Sequence, residues 1–315
     1  MADRDGRILV TGACGQIGSE LTMALRDVYG GGEAVAVGHV EEPSSTLRDS
    51  GPHASVDVRD HAALDRLVDV HEVGAIYHMA AILSAAGEKD PWGAWDVNVN
   101  GLLNVLEIAG TVSFAGVCSE LDCRVRPRRA ARPGTAQNAL LSLRTMYGIT
   151  KLAGEALARH YAAAYGLDVR GLRYPGIISS ETMPGGGTTD DAVEIFYAAD
   201  SGGHYQCFVR EDTVLPMMYM PDGIRATLNL MNASREMLSH PERCNVAGMS
   251  FSAGDLAKMI QRELPGFTCS FVPDGRPAIA DSWPMRIDDR VARHDWNWRE
   301  SYSLEGMVSD MLERV

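Results

Sequence analysis

Three features of the sequence predict an α/β fold on a mostly parallel, doubly wound sheet. Short apolar runs alternate with helical stretches over the first 175 residues. A glycine-rich turn follows the first apolar run directly, and a Tyr-x-x-x-Lys pair stands on a later helical stretch. Parallel strands need a crossover connection, usually a helix, so this alternation is the mark of βαβ units.

Residues 7–11 (RILVT) read as a buried strand, and the pattern from Ile17 to about Val28 as a helix. A second strand is expected over 34–39, a helix over 61–70 and a third strand over 74–80 (GAIYHMA). Helices are expected over 94–109 and Tyr147–Tyr165, and a further strand over 168–174 (DVRGLRY). After Pro175 the character changes: 183–190 (MPGGGTTD) reads as a loop, and 272–284 is rich in turn residues. The expected organisation is a Rossmann-type domain over 1–175, with room for a central strand from later in the chain. A smaller C-terminal α/β region over 176–315 would bind substrate.

Composition removes several classes of function. The formal net charge is −13, which opposes general nucleic-acid binding. The one basic stretch is RVRPRRAARP at 124–133. Apolar runs are strand-length, well short of the ~20 residues a bilayer span needs. The N-terminal MADRDGRILV lacks signal-peptide architecture, so a cytoplasmic protein is expected. The six cysteines are scattered with no C-x-x-C pair, and the histidines form no H-E-x-x-H, so no metal is expected.

The turn T-G-A-C-G-Q-I-G spans Thr11–Gly18, with Gly12, Gly15 and Gly18 spaced G-x-x-G-x-x-G. The first glycine allows the tight turn, the second lets backbone approach a pyrophosphate, and the third permits close helix–strand packing. Phosphates would then sit at a positive helix N-terminus. The turn therefore points to a dinucleotide. A carboxylate about 20 residues further on would bind the adenine ribose and favour NAD. Here the second strand runs into His39, acids arrive only at Glu41 and Glu42, and no Arg or Lys stands at the strand end, which favours NAD over NADP. Asp57 reads either as a partner for the adenine amino group or as a solvated loop acid.

Tyr147 and Lys151, four apart, share a helix face. The lysine charge favours the phenolate, and a phenol so tuned can take a proton from a substrate hydroxyl as hydride leaves its carbon.

These motifs and the stretches around them resemble the extended short-chain dehydrogenase/reductase superfamily, and within it the zinc-independent L-threonine 3-dehydrogenases. The matching stretches include ILVTGACGQIGSEL at 8–21, HMAAILSAAGEKDP at 78–91, NVNGLLNVLEIA at 98–109 and MYGITKLAGE at 146–155. RYPGIISSETMPGGGTTDDA at 173–192, LPMMYMPDGIRA at 215–226, IADSWP at 279–284 and DWNW at 295–298 complete the set. The resemblance implies oxidation of the L-threonine β-hydroxyl by NAD to 2-amino-3-oxobutyrate, with Tyr147 as base and Lys151 holding the nicotinamide ribose. It implies that the cofactor is lined by Gly12, Cys14, Gly15, Gln16, Ile17, Gly18, His39, Asp57, Val58, Met79, Ala80, Ala81, Asn98, Tyr147, Lys151, Tyr174 and Pro175. Ser84, Gly87, Tyr147, Thr188, Thr189 and Asp190 would meet the substrate. It also implies a homodimer, through a four-helix bundle made by the helices around 94–109 and 147–165. The competing expectations are a nucleotide-sugar epimerase or dehydratase of the same superfamily, and an NAD-binding scaffold without turnover.

Two departures stand out. His39 replaces the usual ribose-binding acid. The second lies in 110–144, where the family carries a strand ending in a Ser-Ser or Ser-Thr pair that assists the tyrosine. Here 117–126 reads VCSELDCRVR, a poor candidate for a central parallel strand, and six arginines crowd 124–144. Codons for Cys118 to Pro127 can be chosen so that reading from their second base gives Val-Pro-Ser-Ser-Ile-Ala-Ala-Phe-Gly. The stretch is thus expected to be a frame-shifted reading of an ordinary family segment; otherwise it is a divergent loop in which Ser119 supplies the assisting hydroxyl.

Overall fold

The computed structural model describes residues 6–39, 42–111, 116–122, 136–138, 143, 145–181, 189–274, 280 and 283–315, with 111 and 116–122 as backbone only. The chain divides into two compact units. The first joins Met1–Asp122, Arg144–Arg173 and Ile224–Cys244; the second joins Cys123–Leu143, Tyr174–Gly223 and Asn245–Val315.

The first unit is built on a seven-stranded sheet. In chain order its strands are β1 (Arg7–Thr11), β2 (Ala34–Gly38), β3 (His53–Ser55), β4 (Val73–His78), β5 (Gly116–Asp122) and β6 (Val169–Tyr174), with a late strand at Cys244–Asn245. The spatial order is Cys244–Asn245, β6, β5, β4, β1, β2, β3. The described pairings β1–β2, β1–β4, β2–β3 and β4–β5 are all parallel. This is the doubly wound order 3-2-1-4-5-6, whose reversal point lies between β1 and β4. The strand from later in the chain lies at the sheet's edge, not at its centre.

The division is not a single cut at residue 175, because 224–244 returns to the first unit. Arg170 on β6 supplies one physical reason. Its Nη1 donates to the carbonyls of Leu230 (2.6 Å) and Ala233 (2.8 Å), while Asp168 receives the other side of the guanidinium.

Helices cover the sheet where apolar periodicity places them. Gln16–Tyr29 buries Leu21 and Leu25, and His61–Val70 buries Leu64 and Val68. The core joins Leu9, Val35 and Ile76 from the strands to Leu102, Val105, Leu106 and Tyr161 from the helices. The helix expected over 94–109 is interrupted: Pro91–Trp95 leads into a π-helical turn, Asp96–Asn100, and then Gly101–Thr111. Single π turns inside helices often mark functional positions, and this one carries Asn98. The helix Met146–Tyr165 is capped by Thr145, whose hydroxyl accepts from Gly148 N, and ends at left-handed Gly166.

The segment expected to make a poor strand is one. Gly116–Asp122 pairs with β4 in the register Ala75↔Gly116 to His78↔Ser119. β4 is buried along its whole length, and buried backbone N–H and C=O groups on both of its edges must be paired. That requirement belongs to the topology and does not consult the side chains of β5.

In the second unit, Val214–Tyr219 pairs in parallel with Gly176–Ile178 and antiparallel with Met249–Ser252. His204–Cys207 pairs with Thr268–Phe271. The helices Asp191–Gly202, Ala253–Glu263 and Leu304–Arg314 supply Phe196, Ile260, Met307 and Met311 to its own apolar core.

Candidate active site

Gly12 turns the chain out of β1 with φ +69°, and a Cβ there would stand 2.5 Å from the backbone nitrogen of Ala80. The turn thus lies against the end of β4, and Met79 N donates to Thr11 O at 3.0 Å. A Cβ on Gly18 would meet Gly12 O at 2.1 Å. Gly15 N donates back to Gly12 O, and Ala13 N to Val37 O, closing the loop onto β2. Cys14, Gln16 and Ile17 are half-buried around it. No side chain caps the helix that starts at Gln16. Its first N–H groups are the orphans that every helix N-terminus leaves. This shape fits a dinucleotide: close backbone approach at the glycines and uncapped donors on a positive helix end.

At the far end of β2, His39 is half-exposed, and its Nε2 lies 3.2 Å from Asp57 Oδ2. Arg59 clasps the same carboxylate, donating from Nε and, at 2.6 Å, from Nη2. The Arg59 hydrogen bond holds the Asp57 carboxyl below its ordinary range, against a smaller opposing effect of burial. Val58 is buried beneath this loop, and Asn104 Nδ2 donates to its carbonyl. Buried Arg26 was not anticipated. It donates to the carbonyls of Ala34, Leu47 and Pro52 and so ties the first helix to β2 and the segment after it. Glu41 lies outside the described residues.

Tyr147, 1% exposed, stands in the first turn of Met146–Tyr165, and Lys151 Nζ is 5.3 Å from its ring centre. Helical spacing puts both on one face, as the sequence predicts. Glu88 accepts from Met146 N at 2.6 Å, which seats the short helix Ser84–Lys89 against this helix start. Buried Gly87 lies there too: a Cβ on it would be 3.9 Å from Tyr147 N. Gly87 is thereby brought to Tyr147, and Ser84 begins the same short helix. Asn98 locks the arrangement. Its Oδ1 accepts from Ile82 N (2.7 Å), and Nδ2 donates to Ile82 O and Thr150 Oγ1, whose own hydroxyl donates to Tyr147 O. Ala81 is half-buried beside this loop.

His78, at the end of β4, was missed by the sequence reading. It is buried, its Nδ1 lies 2.8 Å from Thr11 Oγ1, and burial, with the Lys151 charge adding, pushes its pKa down to about 3. A neutral imidazole is therefore held beside the lysine. The one signal for it was a polar residue ending an apolar strand. Arg173 and Glu155 were also missed; they form a buried bidentate pair with both contacts at 2.6 Å, fixing the Tyr147 helix to β6.

Of the remaining expected residues, Ser119 is placed by its backbone alone, opposite His78 in the register. Tyr174 closes β6 and is buried, as is Pro175. In the second unit Thr189 and Asp190 are buried at the head of the helix Asp191–Gly202, while Thr188 lies outside the described residues. Among the described residues, no group of His, Cys, Asp and Glu could hold a metal ion, and no helix is long and apolar enough to cross a membrane.

A doubly wound sheet, a glycine-rich turn on an uncapped helix and a buried Tyr147 with Lys151 one helical turn on define the class. Residues 8–247 match the NAD dependent epimerase/dehydratase family, and the chain belongs to that family. It is an NAD-dependent enzyme of that class. More particularly, an L-threonine dehydrogenase from Clostridium difficile superposes with a TM-score of 0.95 at 38% identity, covering 99% of this chain and 98% of that one. The holo form of a GalE-like L-threonine dehydrogenase from Cupriavidus necator superposes at 0.94 with 45% identity, covering 98% and 99%. An uncharacterized epimerase/dehydratase of Staphylococcus haemolyticus is 38% identical over 98% of this chain and 97% of its own length.

Proposed function

We propose that the protein is an L-threonine 3-dehydrogenase, oxidising the β-hydroxyl of L-threonine to give 2-amino-3-oxobutyrate and NADH. The observation that carries the reading is the juxtaposition of Tyr147, Lys151 and Gly87. Near-full-length likeness to L-threonine dehydrogenases at 38–45% identity supports the same substrate. NAD, when bound, supplies the two-electron acceptor for hydride from the β-carbon. Tyr147 takes the hydroxyl proton, so a neutral ketone forms as the C–H bond breaks. Lys151 holds positive charge beside the phenol and favours its ionised form. Gly12, Gly15 and the helix start at Gln16–Gly18 take the pyrophosphate, and the His39–Asp57 end takes the adenosine. Met79, Ala80, Ala81, Tyr174 and Pro175 line the cofactor, and Asn98 holds its loop in place. The resemblance offers Ser84 for the amino-acid groups, and offers Thr188, Thr189 and Asp190 for the same role.

The test is an assay of NADH formation with L-threonine, beside a panel of nucleotide sugars. Tyr147→Phe is expected to lower turnover by about 10²–10⁴-fold while the variant keeps its fold. Full activity in that variant, or turnover of a nucleotide sugar instead, defeats the assignment.

The reading extends to assembly and location. Ile149 and Leu152 on the Tyr147 helix are exposed, and Trp92 on the adjoining helix is 82% exposed. An apolar stripe at helical spacing suits burial against a second copy, so a homodimer is expected by light scattering at micromolar concentration, and a monomer there refutes it. The six cysteines are scattered along the sequence with no C-x-x-C pair, in keeping with a reducing cytoplasm.

A further inference from the structure

We propose that His39 selects the cofactor by its protonation state, taking NAD when neutral and admitting NADP when charged. The inference rests on the NAD reading of the glycine-rich turn.

His39 stands directly after β2, where a doubly wound fold places the group that meets the adenine ribose. A carboxylate at that position is an acceptor only: it binds ribose hydroxyls and repels a 2′-phosphate. An imidazole is different, because its two nitrogens change roles with one proton. Nε2 lies 3.2 Å from Asp57 Oδ2, and Arg59 keeps that carboxylate ionised. An anionic oxygen at this distance favours a hydrogen on Nε2. In the neutral ring Nδ1 is then a bare acceptor, and it has no hydrogen-bond partner among the described residues. A ribose 2′-hydroxyl can donate to it, as it would to the acid usually found there. Protonation turns Nδ1 into a donor and adds a positive charge, next to a guanidinium that is itself 42% exposed. Protonation makes this edge one charge more positive and sets two cationic donors, His39 and Arg59, about Asp57, which favours a 2′-phosphate over its exclusion by the neutral ring.

The charged groups facing His39 are Asp57 and Arg59 from the loop after β3. Asp96 of the π-helical turn acts through Arg59 Nη1 at 3.5 Å. Glu42 follows in the chain and is exposed. Asp57 already accepts from Arg59 with both oxygens, so His39 is the group at this end with an atom to spare.

The test measures dissociation constants of NAD and NADP for the whole chain, by calorimetry without substrate, at pH 6 and pH 8. The 2′-phosphate itself titrates near ~6, so the same pair is measured for His39→Gln, which keeps hydrogen bonding but cannot charge. In the native chain the preference for NAD over NADP is expected to shrink about tenfold from pH 8 to pH 6, beyond any change in His39→Gln. His39→Asp is expected to abolish NADP binding at both pH values. An identical pH course in the native chain and His39→Gln, or no NADP binding at either pH, overturns the proposal. Failure to bind NAD at pH 8 overturns instead the dinucleotide reading beneath it.

Discussion

β1 and β5 occupy the two edges of the same strand, β4, and both pair with it in parallel. β1 is Arg-Ile-Leu-Val-Thr, buried from its second residue onward, and it runs into a turn whose glycines and uncapped helix start suit a phosphate cradle. β5 is Gly-Val-Cys-Ser-Glu-Leu-Asp, with two acids in a central strand. The comparison separates two kinds of instruction. Backbone pairing along β4 demands a strand on each edge whatever the side chains are. The side chains decide what chemistry each strand can carry.

The largest effect is expected where sequence and topology agree most closely. Gly12→Ala puts a methyl 2.5 Å from Ala80 N and 2.7 Å from the Met79 carbonyl carbon, at a φ of +69° that an L side chain resists. The obstacle is backbone, which cannot swing aside. The variant is expected to lose NAD binding outright and to unfold at least several kcal/mol more readily, by calorimetry and denaturant titration. A variant that binds NAD normally would show that the turn is only a connector.

This agreement explains what could be read from the sequence alone. Strands of apolar residues, helices of period 3.6 and a turn of fixed glycines are local patterns, so β1, the first helix, His61–Val70 and the Tyr147 helix were all legible. The Tyr147–Lys151 pair was legible because helical spacing alone makes them neighbours. Residues that act across long sequence separations were not. His78 gains its character from Thr11, 67 residues away. Asn98 gains its part from Ile82 and Thr150. The π-helical turn that aims Asn98 has no composition signal.

β6 lies on the other side of β5 and carries charges that are buried and paired. Arg170 and Arg173 are both buried in VRGLRY, and Glu155 meets Arg173 in a bidentate pair. Arg173→Met leaves Glu155 buried without its partner and is expected to cost about 3–5 kcal/mol, whereas Arg173→Met with Glu155→Leu is expected to recover most of it. Equal losses in the single and double variants would mean that packing, not charge, is what the pair supplies.

The second unit offers a buried acid without a cationic partner among the described residues. Asp191 Oδ2 accepts from Cys207 Sγ, Oδ1 has no hydrogen-bond partner among the described residues, and burial, aided by Asp190 and Glu194, pushes its pKa up to about 7. The folded chain therefore keeps this proton to about pH 7, while the unfolded chain releases it near ~4. Between those values the folded state binds more protons, so this group's effect is to lower stability as pH rises, levelling off above pH 7. Asp191→Asn is expected to match the native chain at pH 4 and to exceed it by roughly 4 kcal/mol at pH 8, in urea titrations. A gain independent of pH would mean the carboxyl is neutral or solvated throughout.

β5 itself is tested by mass and by turnover rather than by stability. Glu120 and Asp122 belong to β5, which the sheet order places between β4 and β6, and the described pairing with β4 runs as far as Ser119. The flanks match family stretches closely on both sides, and six arginines crowd 124–144 in a chain of net charge −13. Reading Cys118 to Pro127 from the second base restores an apolar strand and a Ser-Ser pair across the codons of Glu120 to Asp122. The two serines would then fall beside or just beyond Ser119, whose backbone is opposite His78. On that reading, protein expressed from the natural gene has an intact mass different from that of the sequence as written, and its tryptic peptides over 117–134 do not match it. Re-sequencing the gene locates the two compensating shifts. A mass and peptide map that agree with the sequence as written, together with threonine oxidation, refute the shifted frame. Ser119 is then the hydroxyl that assists Tyr147, and Ser119→Ala should lower turnover by about 10-fold or more, as loss of a hydrogen bond made in the transition state does.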